Sequence, residues 1–149
     1  MKGLYIHIPF CRSKCTYCDF YSIPRTGLME SAAHGIITEY KARRNAIEGS
    51  FDAIYFGGGT PSVLPSAILR YICDNLPFDE ISEATIEVNP DDVTPENVKT
   101  WRSAGFNRVS MGIQTLDAAI LRRIGRRHTP RQAIRAVSLL CDGGISDIS

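Results

Sequence analysis

A chain of 149 residues, 44% hydrophobic and 22% charged, carries enough apolar material for one buried core and is unlike a disordered or fibrous protein. Lys and Arg total 17 against 16 Asp and Glu, a formal net charge of +1, which removes the broad basic surface that nucleic acid or an anionic membrane would require. No apolar run approaches the roughly 20 residues of a membrane span, and Pro9 and Cys11 stand where a signal peptide would continue its apolar stretch, so a cytoplasmic chain without a transmembrane segment is expected.

Gly3 to Ile8 has the pattern of a short buried strand, stopped by Pro9. A loop with three cysteines follows. Ala33, Ile36, Ile37, Tyr40 and Ile47 recur at helical spacing, with Glu39, Arg43 and Arg44 between them, and predict a first helix. Ala53 to Phe56 predict a second strand that runs into Gly57-Gly58-Gly59-Thr60-Pro61, and Ile68, Leu69, Ile72 and Leu76 mark the next helix. Ala84 to Val88 make a third strand and Asn89-Pro90 a turn. Thr94 caps a helix with Pro95 at its first position, and Val98 and Trp101 face the core. Gly105 ends it, Arg108 to Met111 make a fourth strand, and Ile120, Leu121 and Ile124 form a short helix behind Asp117. Thr129-Pro130-Arg131-Gln132 has capping-box spacing and opens a helix carrying Ile134, Val137 and Leu140, which Gly143-Gly144 ends before a fifth strand from Ile145.

Strict strand-helix alternation predicts an α/β fold with a parallel sheet, either a barrel or an open doubly wound sheet, and both place ligands at the C-terminal ends of strands. Ending at Ser149, inside the fifth strand, residues 1–149 are expected to be one domain and the leading portion of a (β/α) partial barrel. The unpaired edge and its uncovered apolar side chains predict dimerisation into a homo-oligomer, disorder near Ser149 or poor solubility.

Five cysteines, three of them within eight residues, fit a metal site in a reducing compartment better than a disulfide framework. Cys11, Cys15 and Cys18 are spaced C-x3-C-x2-C, and soft thiolates select iron-sulfur clusters, zinc or copper(I). A [4Fe-4S] cluster takes four ligands, so three cysteines leave one iron open for an outside ligand such as the amino and carboxylate groups of S-adenosylmethionine (SAM). Structural zinc is the alternative and would recruit Asp19 or His7. Cys73 and Cys141 are assigned to the apolar core, His7 to the buried strand region, and His34 and His128 to the surface.

Tyr5-Ile-His-Ile-Pro-Phe-Cys11, the cysteine loop, Phe56-Gly-Gly-Gly-Thr-Pro-Ser62, Glu87-Val-Asn-Pro90, Asn107-Arg-Val-Ser-Met-Gly-Ile-Gln114 and Leu121-Arg-Arg-Ile-Gly-Arg126 occur in one order along essentially the whole chain. As a set they resemble the radical SAM proteins related to oxygen-independent coproporphyrinogen III oxidase, especially the heme-chaperone branch called HemW. The resemblance implies a [4Fe-4S] cluster on Cys11, Cys15 and Cys18 and SAM contacts at Tyr5, Tyr17, Gly58, Gly59, Thr60, Glu87, Gln114 and Arg126. No catalytic side chain is assigned beyond the cluster ligands. Without the resemblance, Tyr5 would be a core aromatic, Glu87 a solvated strand end, and Arg122, Arg123, Arg126 and Arg127 a solvated helix face. The oxidase pattern continues Gly-Cys after the third cysteine, whereas this chain has Asp19-Phe20. That difference favours a protein that binds heme and passes it to an acceptor, with an electron donor for the cluster. A true oxidase and a zinc module are the alternatives, and the heme ligands are expected downstream of Ser149.

Overall fold

The computed structural model describes residues 2–24 and 26–149. Among the described residues five strands and five α-helices follow in chain order, with two helices in the last crossover: β1 (Gly3–Ile8), α1 (Met29–Arg44), β2 (Ala53–Gly58), α2 (Ser66–Asp74), β3 (Glu83–Val88), α3 (Pro95–Ser103), β4 (Arg108–Met111), α4 (Ala118–Arg123), α5 (Pro130–Asp142) and β5 (Asp147–Ile148). The strands form one sheet in the order β1-β2-β3-β4-β5, with every neighbouring pair parallel.

That order decides between the two architectures left open by the alternation. A doubly wound sheet reverses its strand order at a switch point; here every crossover steps the same way. Because parallel crossovers share one hand, the helices fall on a single face, as in an arc of a (β/α) barrel. Residues that alternate toward the helices are buried: Ile6 and Ile8 on β1, Ile54 and Phe56 on β2, Ala84, Ile86 and Val88 on β3, Val109 and Met111 on β4. They join one core with Ala33, Ile37, Leu69, Ile72, Val98, Trp101 and Leu140 from the helices. Phe56 and Phe106, both fully buried, pack edge to face at 5.1 Å. Burying each ring contributes about 1.5–3 kcal/mol.

The other face of the sheet carries Tyr5 and His7, Tyr55 and Gly57, Thr85 and Glu87, Arg108 and Ser110, in registered rows. A row of polar residues on a parallel sheet is the reverse of a strand buried on both sides, and marks the face turned toward the barrel interior.

The cap signals are realised: Thr94 Oγ1 accepts from Asn97 N at 3.1 Å, Asp117 caps α4, and Thr129 with Gln132 completes the capping box of α5. Several expectations are corrected. α1 stops at Arg44, and Ile47 lies beyond it in a turn. α5 turns Ala133, Ala136 and Leu140 inward, on the side that meets α3 and the turn after β3, and leaves Ile134 59% exposed. Cys141 is exposed on the same helix, not in the core. His128 is buried, not a surface residue. Tyr5 and His7 lie on the open inner face, the first exposed and the second half-buried. Among the described residues no helix is long and apolar enough to cross a membrane.

Candidate cluster and cofactor site

The cysteine loop leaves the C-terminal end of β1 and is tied down at both ends. Ile23 N donates to Pro9 O at 2.7 Å and Cys11 N to Ile23 O at 3.2 Å, which closes the loop on itself, while Thr16 N donates to Ile124 O at 3.3 Å beyond α4. Cys11, Cys15 and Cys18 are free, half-buried thiols that line one small pocket with Gly59, Thr60, Asn89 and Arg126. Two of the sulfurs already have partners. Cys11 Sγ is hydrogen-bonded to Thr60 Oγ1 at 3.3 Å, and Arg126 Nη1 donates to Cys15 Sγ at 3.5 Å.

The glycine run at the end of β2 exists because neighbours occupy the space a side chain would need. A Cβ on Gly59 would stand 2.6 Å from Phe10 O and 2.8 Å from Ile8 O, both backbone atoms at the root of the cysteine loop. The close approach is used: Gly59 N donates to Ile8 O and Thr60 N to Phe10 O, at 2.8 and 2.7 Å. Gly58 has φ +109°, and its Cβ would fall on the His7 ring. The run thus continues the β1–β2 ladder into the loop and hands Thr60 to Cys11.

Glu87, next to last in β3, has both carboxylate oxygens engaged, which is not the solvated strand end that the residue alone suggests. Tyr55 Oη donates to one oxygen at 2.7 Å and Gly58 N to the other at 3.2 Å. Burial, then the bond to Glu87, pushes the Tyr55 hydroxyl above its ordinary value, so it stays a donor at neutral pH. A cavity of about 480 Å³, within the range that holds small-molecule ligands, is lined by Tyr17, Gly58, Gly59, Thr60, Glu87, Gln114 and Arg126. Gln114 has φ 68°, unusual outside glycine, and is held in that strained state at the cavity wall. Burial also raises the Tyr17 hydroxyl, against an opposing pull from Arg126. Tyr5 does not line this cavity. It stacks beside Tyr55 with ring centroids 6.1 Å apart and lies against His7.

Several residues that sequence reasoning passed over belong to the site. Asn89, read as part of a turn and of the Glu87-Val-Asn-Pro90 motif but given no role, donates to Thr60 Oγ1 at 3.3 Å and accepts from Arg126 Nη2 at 2.7 Å. Asp92 is buried just behind it, accepts from Ser62 Oγ at 2.7 Å, and pairs with Arg12 of the cysteine loop at 3.3 Å. Burial raises the Asp92 carboxyl above its usual value, against the pull of Ser62 and Arg12. Arg127 pairs with Asp91 at 2.9 Å, while Arg122 and Arg123 remain exposed. The available signal was position, since Asn89 to Asp92 directly follow the C-terminal end of a parallel strand.

His128 follows this arginine pair in sequence, and burial first, then Arg126, lowers its imidazole below the ordinary 6.5. A base whose folded value is lowered binds fewer protons folded than unfolded, so its contribution to stability is present above 6.5 and is lost as pH falls through the folded value. Urea midpoints of the wild type are therefore expected to drop between pH 7.5 and 5.5, and His128→Phe is expected to flatten that dependence. Equal slopes in both proteins would contradict the assignment.

The donor set fits a [4Fe-4S] cluster. Three thiols of one loop edge a single pocket, and two are met by hydrogen-bond donors of the kind that surround cluster sulfurs.

A sequence profile of the radical SAM superfamily matches residues 5–149. The heme chaperone HemW of Lactococcus lactis is 37% identical over 99% of this chain and 40% of its own length, and that of Bacillus subtilis 35% identical over 100% and 41%. The chain thus spans about two fifths of these relatives. Among solved structures, coproporphyrinogen III oxidase (HemN) from Escherichia coli superposes with a TM-score of 0.81 at 24% identity, over 98% of this chain and 35% of that one, and so shares the fold. With a family match running from β1 to the last residue and the same fold beneath it, the chain belongs to the radical SAM superfamily.

Proposed function

We propose that Cys11, Cys15 and Cys18 hold a [4Fe-4S] cluster, that SAM binds in the adjoining cavity, and that the longer protein of which this span is part binds heme and passes it to acceptor proteins. When bound, the cluster and SAM would supply one-electron reductive cleavage of the sulfonium. The carrying observation is the meeting, on one cavity wall, of the cysteine loop with the Gly58–Thr60 run and Glu87. In this reading the Gly58–Thr60 backbone takes the zwitterionic end of SAM, and Glu87, oriented by Tyr55, accepts from ribose hydroxyls. Tyr17 and Arg126 close the side nearest Cys15 and Cys18, and Gln114 the β4 side. Tyr5, outside this cavity, serves by supporting Tyr55. The site would work in a reducing cytoplasmic compartment with an electron donor still to be identified.

Heme handling rests on the HemW relatives and on Asp19-Phe20 after Cys18, where the oxidase pattern has a further cysteine. It does not rest on the histidines of this span: His34 Nδ1 is engaged with the Tyr71 hydroxyl at 2.9 Å, His128 is buried, and His7 lies between Tyr5 and the Tyr21 carbonyl. The test uses the full-length protein. Stoichiometric heme binding with transfer to an apo-acceptor, and no vinyl product from coproporphyrinogen III, is the expected result. Formation of the vinyl product at enzymatic rates would establish an oxidase instead.

A further inference from the structure

The two partnered cysteine sulfurs are joined to each other through protein side chains. From Cys15 Sγ the path runs to Arg126 Nη1, from Arg126 Nη2 to Asn89 Oδ1, from Asn89 Nδ2 to Thr60 Oγ1, and from Thr60 Oγ1 to Cys11 Sγ. Its members come from the loop after α4, the turn after β3, the end of the glycine run and the cysteine loop. Asn89 is the middle of this path. Its backbone N–H also donates to Ser62 Oγ, which holds Asp92, the partner of Arg12, so the turn is braced from behind.

We propose that Asn89 is a positioning residue that holds the Arg126 guanidinium on Cys15 and the Thr60 hydroxyl beside Cys11, and so sets the redox poise of whatever iron-sulfur group the thiolates carry. The inference rests on the cluster reading above. Asparagine is suited to the place because one short side chain offers both an acceptor, for the guanidinium, and a donor, for the hydroxyl. An ionised aspartate has the same shape and accepts only; leucine does neither. The electrostatic consequence follows. A cationic donor on a cysteine sulfur favours the more negative, reduced state of the iron-sulfur group and raises its potential, and partners one step removed from the ligands tune that effect. In Asn89→Asp a carboxylate faces Arg126 in place of a neutral amide. It offsets the guanidinium's field at Cys15, and because it can no longer donate to Thr60 Oγ1 it accepts from that hydroxyl and draws its proton away from Cys11. Arg126 still has the Gly112 carbonyl as a partner, so it stays in the neighbourhood and the change is one of field and aim rather than wholesale loss.

The test is a redox titration, followed by electron paramagnetic resonance, of anaerobically reconstituted wild type, Asn89→Asp, Arg126→Lys and the double variant. Iron content and the melting temperature of the iron-free chain are measured alongside. At the wild-type midpoint potential, Asn89→Asp is expected to show a ratio of reduced to oxidised cluster lower by about tenfold, a downward shift of about 59 mV for one electron. Arg126→Lys should shift in the same direction, and the double variant should shift by less than the sum, because both changes act through one contact. A wild-type potential in Asn89→Asp, or strictly additive shifts, overturns the proposal. Absence of iron from the wild type itself would instead strike the cluster reading on which the proposal stands.

Discussion

Cys15→Ala is expected to lower reconstituted iron and acid-labile sulfide to under about a tenth of wild type, because a cluster already one cysteine short of four cannot lose another and persist. The same substitution at Cys73 or Cys141 should leave iron content unchanged. Cys73 is buried between helices, where loss of solvation pushes its thiol up to about 12, and Cys141 lies on the outer side of α5. Neither lines the pocket that joins the loop cysteines. Iron and sulfide assays on the four proteins check this directly. Full iron in Cys15→Ala, or a loss in Cys73→Ala equal to that in Cys15→Ala, would mean that the ligand set is different.

Gly59→Ala is expected to destabilise the iron-free chain by about 1–3 kcal/mol and to impair iron loading as well. The added methyl would meet Phe10 O, Ile8 O and Phe10 N, all within 2.8 Å, and backbone atoms cannot swing aside as a flexible side chain could. Relief requires parting the two hydrogen bonds that tie Gly59 and Thr60 to β1 and the root of the cysteine loop. One substitution therefore couples stability to loop geometry. Gly35→Ala is the control: it lies in α1 with nothing within 4 Å of its would-be Cβ, and there alanine should stabilise by up to about 1 kcal/mol. Urea unfolding of both variants separates the cases. A Gly59→Ala protein as stable as wild type would mean that the strand ends and loop are free to adjust.

The backbone plan was legible in the sequence because it is written in local signals. Thr94-Pro95, Asp117 and Thr129 with Gln132 each satisfy orphaned amides within a few residues, so helix starts could be placed without knowing the fold. The cysteine spacing was equally local. What periodicity could not decide was which apolar face wins when packing favours small residues over large ones. In α5 Ala133 and Ala136 face inward, while Ile134 and Val137 remain exposed. His128 was expected at the surface from its polarity and is buried. Asn89 escaped notice for a related reason: its two side-chain partners lie 29 and 37 residues away, and only the parallel sheet brings Thr60 and Arg126 to the same strand end. Winding of the sheet was a matter of strand order, which alternation alone does not contain.

The most direct test of the central claim is the electron paramagnetic resonance spectrum of the anaerobically reconstituted and reduced protein, recorded with and without SAM. A [4Fe-4S]+ signal whose g values shift on adding SAM is predicted, since three cysteines leave one iron to be ligated from the adjoining cavity. A cluster signal that SAM leaves unchanged, or stoichiometric zinc in place of iron and sulfide, would contradict the account.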